Sequence, residues 1–324
     1  MKKFLVLVLI ATSLQFSNCK EEKDEPDPLF QLLALQSLLT SKNIFFNRVR
    51  YLDNKFYGVG SGGQIYVSAD GDSWTRISLD TNQAINDIGY INNRFTAIGN
   101  SVHYTSADGI SWSDISSTFS NTTFLRSLGN FGSTLVAFGS RNIYTSTNGL
   151  SFSSGVSLGS SLFPAYYESA SNSNRMVVVG AEESNSASIK VGSFVSIFLT
   201  FSSNGVTGLS SAKQLLGIAY NGTRFVAVGN SGNIYYSADG LAWTAASSGV
   251  TSTIRAVVYA KDQFIAVGMS GLVLSSPDGI NWTSKSSGST VELRSVAYGN
   301  DKLVAVGRDT ILVSSDAGNT WVNK

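Results

Sequence analysis

The segments Leu293-Arg-Ser-Val-Ala-Tyr298, Gly299-Asn-Asp301, Leu303-Val-Ala-Val-Gly307, Ile311-Leu-Val-Ser314 and Ser314-Ser-Asp-Ala-Gly318-Asn-Thr-Trp321 follow one another in residues 293–321. Short runs of branched and aromatic residues alternate with Gly, Asn and Asp, the residues that tolerate the backbone of tight turns. That order predicts strand, turn, strand, strand, turn and a fourth strand near the tryptophan. The second run is apolar at consecutive positions, as expected of a strand covered on both faces.

The central segment recurs along the chain. It appears at Phe56–Gly60, Phe95–Gly99, Leu135–Gly139, Phe225–Gly229 and Phe264–Gly268, and more loosely at Met176–Gly180. The closing glycines 60, 99, 139, 180, 229, 268 and 307 are spaced by 39, 40, 41, 49, 39 and 39 residues. Seven β-rich copies of about 40 residues fit the four-stranded propeller blade better than any helical repeat. The expected fold is therefore all-β: a seven-bladed β-propeller of four-stranded antiparallel blades over residues 44–324. The sequence offers no strand for a blade shared between the two ends, so ring closure is expected to rest on blade-to-blade packing.

The turn before the fourth strand is the most specific signal. It reads Ser68-Ala-Asp70-Gly71-Asp-Ser-Trp74 and recurs around Asp108 and Trp112, Asp239 and Trp243, Asp278 and Trp282, and Asp316 and Trp321. All five tryptophans of the chain occupy this slot. The third copy carries Asn148 and Phe152 instead, and the fourth keeps only Ser202-Ser-Asn-Gly205. These residues resemble the Asp-box (BNR-like) hairpin of sialidase-superfamily and photosystem II assembly-type propellers; Ser314–Trp321 matches its full form, and the other copies are one residue shorter. The carboxylate suits a turn by accepting backbone N–H groups, and a Trp suits a wedge between blades. The repeated Asp and Trp are thus expected to be structural. Blade four is irregular. Its extra residues fall around Glu182–Ser196 and are assigned to the connection between its second and third strands.

Composition narrows function by exclusion. Charged residues make up 14% of the chain, with 23 basic and 22 acidic side chains, a net charge of +1. So even a balance gives no broad footprint for nucleic acid. There is one cysteine, Cys19, and one histidine, His103. A His/Cys metal site and an intrachain disulfide are excluded, and no cofactor is expected. His103 lies in a strand pattern, so it reads as a strand residue rather than a catalytic one.

The N-terminus reads as an address. Lys2 and Lys3 precede the apolar run Phe4–Ile10, the pattern of a secretory signal and too short for a spanning helix. Phe16-Ser-Asn-Cys19 resembles a relaxed bacterial lipobox, departing from it at Phe16 and Asn18. The resemblance implies a lipoprotein signal peptide over 1–18, acylation of Cys19 and anchoring in the envelope. Lys20 does not resemble the inner-membrane retention signal, so an outer-membrane lipoprotein is expected. Residues 19–43 form the anchored tether, with a short helix over Leu29–Leu39. Asp27 and Pro28 suit its start. That helix either docks on the propeller or lies on the membrane.

Counting thirteen residues back from each marker glycine gives Asn47, Asn86, Arg126, Tyr167, Leu216, Arg255 and Arg294. In propellers the first strand of each blade lines the channel. Arg126, Arg255 and Arg294, with Asn47 and Asn86, are therefore expected at one channel mouth, where guanidinium groups suit a carboxylate or phosphate. The alternative is that these arginines bond backbone carbonyls as part of the repeat. The sialidase resemblance implies a glycoside hydrolase, but its Arg-bearing segment is absent. The acids Glu168, Glu182, Glu183 and Glu292 stand in no motif. The expected function is a non-catalytic, monomeric binding propeller for a protein or glycan partner, with a sialidase-like hydrolase as the alternative.

Overall fold

The computed structural model describes residues 44–118, 124–139, 142–153, 156–157, 165–181, 187–195, 198–202, 207–209 and 214–324. The signal, Cys19, the tether, the Leu29–Leu39 helix, Glu182 and Glu183 lie outside them. The described chain forms seven four-stranded antiparallel sheets, each built from consecutive strands. The blades span 46–78, 85–114, 125–157, 165–202, 215–246, 254–285 and 293–323. The first strands neighbour one another in chain order, and that of blade seven, Leu293–Gly299, lies beside that of blade one, Phe46–Leu52. This is the seven-bladed propeller expected from the glycine spacing.

The second strands are buried throughout. In Phe225–Gly229 all five residues are buried. Seven hydrophobic clusters fill the structure, one at each blade interface. The cluster between blades seven and one contains Val49, Phe56, Val304 and Val306, so the ring closes by packing. Each fully buried side chain of this size stabilises the fold by roughly 1.5–3 kcal/mol.

Polar staples repeat at the interfaces. The side chains of Arg175, Arg224 and Gln263 donate to carbonyl oxygens of Asp239, Asp278 and Ala317 in the next blade's turn. Lys302, at the equivalent position of blade seven, pairs with Asp72 of blade one. The seam therefore carries a staple at the same position, made there to a carboxylate side chain instead of a backbone carbonyl.

First and second strands are joined in four blades by two-residue turns with both residues at positive φ. Asp53-Asn54 has φ 45° and 58°, and Lys261-Asp262 has 47° and 60°. Such turns match the twist of a hairpin, and Asn and Asp tolerate them.

The turns before the fourth strands behave as locks. Asp70 Oδ1 accepts the backbone N–H groups of Asp72 and Ser73, both at 2.8 Å. Ser68 Oγ accepts Gly71 N–H at 2.8 Å, and Trp74 Nε1 donates to Gly71 O at 2.8 Å. Asp108, Asn148, Asp239 and Asp278 repeat the carboxylate or amide part of this pattern. Asp316, in the longer copy, accepts from Thr320 N at 2.9 Å. Bonds from Ser73 and Asp72 pull Asp70 down to about 2. Trp74, Trp112, Phe152, Trp243, Trp282 and Trp321 each pack into the cluster shared with the preceding blade.

Blade four corrects the sequence reading in two ways. Much of the extra material is the third strand itself, Ala187–Val195, nine residues long where others have four or five. Ser202, where the degenerate motif begins, is the last residue of the fourth strand, Phe198–Ser202, so the motif does not precede that strand; its remaining residues lie outside the described ones. A longer strand needs its turn further along, so motif spacing failed there.

Candidate functional site

A bulge in every first strand builds the site. In blade one Phe46 pairs with Gly60 and Arg48 with Val59, leaving Asn47 out of the ladder. The same irregularity leaves out Asn86, Arg126, Tyr167, Leu216, Arg255 and Arg294. An unpaired bulge residue is free to be re-aimed. All seven, with Arg48, line a single cavity of about 280 Å³. The positions counted from the glycines thus converge on one mouth of the channel.

Their roles differ. Asn47 Nδ2 donates to Ile85 O at 3.0 Å, and Asn86 Nδ2 donates to Leu125 O at 2.7 Å. These amides satisfy carbonyls of the next blade, which is the structural reading. The arginines do not follow it. Arg255 Nε donates to Glu292 Oε1 at 2.7 Å and Arg294 Nε to Glu292 Oε2 at 3.0 Å. Arg255 also reaches Glu292 Oε1 with Nη2 at 2.6 Å, so its Nε–Nη2 edge is taken, whereas Arg294 is held through Nε and keeps both terminal nitrogens clear of Glu292. Burial would raise the Glu292 carboxyl, but Arg255 and Arg294 hold it below its ordinary value. Arg126 is exposed and stands over the Tyr167 ring at 5.8 Å. No carboxylate among the described residues pairs with it. Arg294 also faces the Phe45 ring at 5.7 Å.

Below the mouth lies a cluster that the sequence reading missed. Arg50 donates from Nε to Asp87 Oδ1 at 3.0 Å and from Nη2 to Asp87 Oδ2 at 2.7 Å. Its Nη2 also reaches Glu168 Oε1 at 3.0 Å, across the channel in blade four. Arg48 pairs with Glu168 as well and donates to Tyr167 O at 2.7 Å. Asp87 is fully buried and accepts Leu128 N–H at 2.8 Å. Burial would raise Asp87, but Arg50 and Arg48 outweigh it and hold it low. Two cations and two anions thus bridge blades one, two and four. The signal was available: twelve residues before the marker glycines stand Arg48, Asp87 and Glu168, against Ser, Gly or Ala in the other blades.

His103 is 1% exposed in the third strand of blade two, edge-on to Phe152 at 5.3 Å. Burial pushes it down to about 4.

The family model of the DUF6242 β-propeller domain matches residues 78–251 and 201–324. No curated protein matches the chain in sequence. Among solved structures, YCF48 from Cyanidioschyzon merolae superposes with a TM-score of 0.62 at 15% identity, over 84% of this chain and 95% of that one. YCF48 bound to D1 peptide gives 0.63 at 16%, over 84% and 93%. The WD40 propeller of Doa1 gives 0.61 at 12%, over 86% and 96%. These likenesses concern the fold.

Proposed function

The chain belongs to the DUF6242 β-propeller domain family, and from that premise we propose that it is a non-catalytic binding propeller whose arginine mouth captures an acidic group of a protein partner. One observation carries this reading. Arg126, Arg255 and Arg294 converge on one cavity with Glu292 as their paired carboxylate, leaving an excess of positive charge. The guanidinium groups of Arg126 and Arg294, whose terminal nitrogens Glu292 does not hold, suit bidentate binding of a carboxylate. A cavity of about 280 Å³ admits a side chain rather than a folded surface. The structure of YCF48 bound to D1 peptide supports the view that a propeller of this shape can take a peptide.

The hydrolase alternative gains no support from the geometry. A glycosidase needs a carboxylic acid whose pKa is raised. Asp87 and Glu292 are shifted down, and Glu168 is held by two arginines.

The proposal includes a lipid anchor at Cys19 after a signal over 1–18, an outer-membrane location and a monomeric state; the sequence pattern supports the first two. The repeated turns are read as members of the Asp-box class, on their residues and their carboxylate locks. Cys19→Ala is expected to release the protein from membranes; partitioning unchanged would refute the anchor.

The binding test is fluorescence anisotropy of the full chain with a labelled tetraglutamate peptide. Wild type is expected to bind saturably, more weakly at high salt. Combined Arg126→Ala, Arg255→Ala and Arg294→Ala is expected to abolish binding. Equal binding by wild type and variant, or none by wild type, overturns the reading.

A further inference from the structure

The channel has a second cavity, of about 400 Å³, lined by residues further along the same first strands. The bridge of Arg48, Arg50, Asp87 and Glu168 lies between it and the arginine mouth, since Arg48 lines one cavity and Arg50 and Glu168 line the other. Its chemistry is different. Tyr51, Tyr220, Tyr259 and Tyr298 stand in its wall, each nine residues before a marker glycine. Between them are the small residues Gly217, Ala219, Ala256 and Ala297.

The rings are held in place. Tyr51, Tyr220 and Tyr259 pack on Phe56, Phe225 and Phe264 at 4.9, 4.3 and 5.0 Å. Three hydroxyls are tied to the rim: Tyr51 to Asn300 Oδ1 at 2.7 Å, Tyr220 to Gly222 O, and Tyr298 to Asp301 Oδ1 at 3.0 Å. The Tyr259 hydroxyl has no partner among the described residues.

Charge selects the class of ligand by elimination. Arg50 disfavours a cation at the floor and Glu168 there disfavours an anion, while Asp301 at the rim is paired with Lys261 at 3.8 Å. The four groups of the bridge sum to zero, and the two that line this cavity, Arg50 and Glu168, present a strong donor and a strong acceptor. Aromatic walls with a neutral, hydrogen-bonding floor suit an uncharged ring that carries hydroxyls on its edges and C–H groups on its faces. The volume lies in the range of small-molecule sites.

We propose that this well is a saccharide subsite. It takes a neutral pyranose that stacks on the tyrosines and turns its hydroxyls to Arg50, Glu168 and the Tyr259 hydroxyl. The site is separate from the arginine mouth and stands whether or not that mouth binds peptides.

The test is saturation-transfer NMR and calorimetry on the full chain with cellobiose, maltose and N,N′-diacetylchitobiose, with tetramethylammonium and acetate as charged controls. At least one disaccharide is expected to bind saturably and more tightly than either control. Tyr259→Phe, which keeps the ring packing, is expected to weaken it about three- to tenfold, the effect of one hydrogen bond. Tyr259→Ala with Tyr220→Ala is expected to abolish it, with folding checked by circular dichroism. The Arg126, Arg255, Arg294 triple alanine variant is expected to bind sugar normally. No binding of any of the three sugars, tighter binding of tetramethylammonium, indifference to Tyr259→Phe, or loss in the arginine variant would each overturn the proposal.

Discussion

Glu168 in blade four accepts a hydrogen bond from Arg50 in blade one at 3.0 Å, so two blades on opposite sides of the ring are joined through the channel. Neighbouring blades hold one another through apolar clusters, but this contact skips two blades. It bars the channel, and it neutralises two arginines that would otherwise sit largely buried beside each other.

Glu168→Ala should therefore destabilise the fold by about 3 kcal/mol, because both guanidinium groups lose a carboxylate. Glu168→Gln should cost less, since its amide oxygen still accepts from one of them. Urea unfolding measures both. An alanine variant as stable as wild type would show that the bridge contributes nothing.

Acid should weaken the fold in a defined window. The carboxyls of Asp87 and Glu292 lie below their ordinary values of 3.8 and 4.5 in the folded chain. A depressed folded pKa gives stability that is complete above the unfolded value and lost as pH falls below it. Thermal midpoints should therefore drop as pH falls below about 4.5. Asp87→Asn should flatten that decline while lowering stability at pH 7. An identical slope in wild type and Asp87→Asn would rule out this assignment.

His103 should add a separate slope at higher pH. Its folded value near 4 lies below the ordinary 6.5, so the unfolded chain takes up a proton first as pH falls. The contribution of neutral His103 is lost between 6.5 and about 4, at up to about 1.4 kcal/mol per pH unit. His103→Gln should remove that slope in denaturation at pH 7, 6 and 5.

Gly279 and Gly288 separate backbone strain from blade contact. Both have positive φ, 73° and 69°. A Cβ on Gly279 would lie 2.5 Å from Val226 Cγ2 in the preceding blade, whereas one on Gly288 meets nothing within 4 Å. Gly288→Ala should cost about 1 kcal/mol, and Gly279→Ala about 1–3 kcal/mol more. Equal losses would argue against a tight interface there.

Glu292 is expected to orient Arg255 and Arg294 rather than compete with the ligand. Glu292→Ala should weaken tetraglutamate binding about tenfold, and Glu292→Gln should restore most of it. Tighter binding by both variants would instead make Glu292 an internal competitor.

The blades were legible in the sequence because six of the seven marker glycines, all but Gly139, stand where a Cβ would collide with a backbone carbonyl oxygen. A Cβ on Gly229 would lie 2.1 Å from Gln214 O and one on Gly268 2.2 Å from Thr253 O, so the backbone approach excludes other residues. The mouth was legible by the same count. The ion bridge was not, because a bulge turns two consecutive residues, such as Asn47 and Arg48, toward one cavity, and strict alternation would part them. Blade four misled because its third strand is longer, which displaced the expected turn.

The bulges carry one more consequence. A residue outside the ladder is exempt from the sheet's demands for β-propensity and register, so Asn, Asn, Arg, Tyr, Leu, Arg and Arg can stand at equivalent positions on near-identical blades. Substitution at Arg126, Arg255 or Arg294 can redraw the chemistry of the mouth while the ladder stays as it is, whereas Asn47 and Asn86 also satisfy carbonyls of the next blade. The ladder and the lining of the mouth are thus written in separate positions of the same repeat.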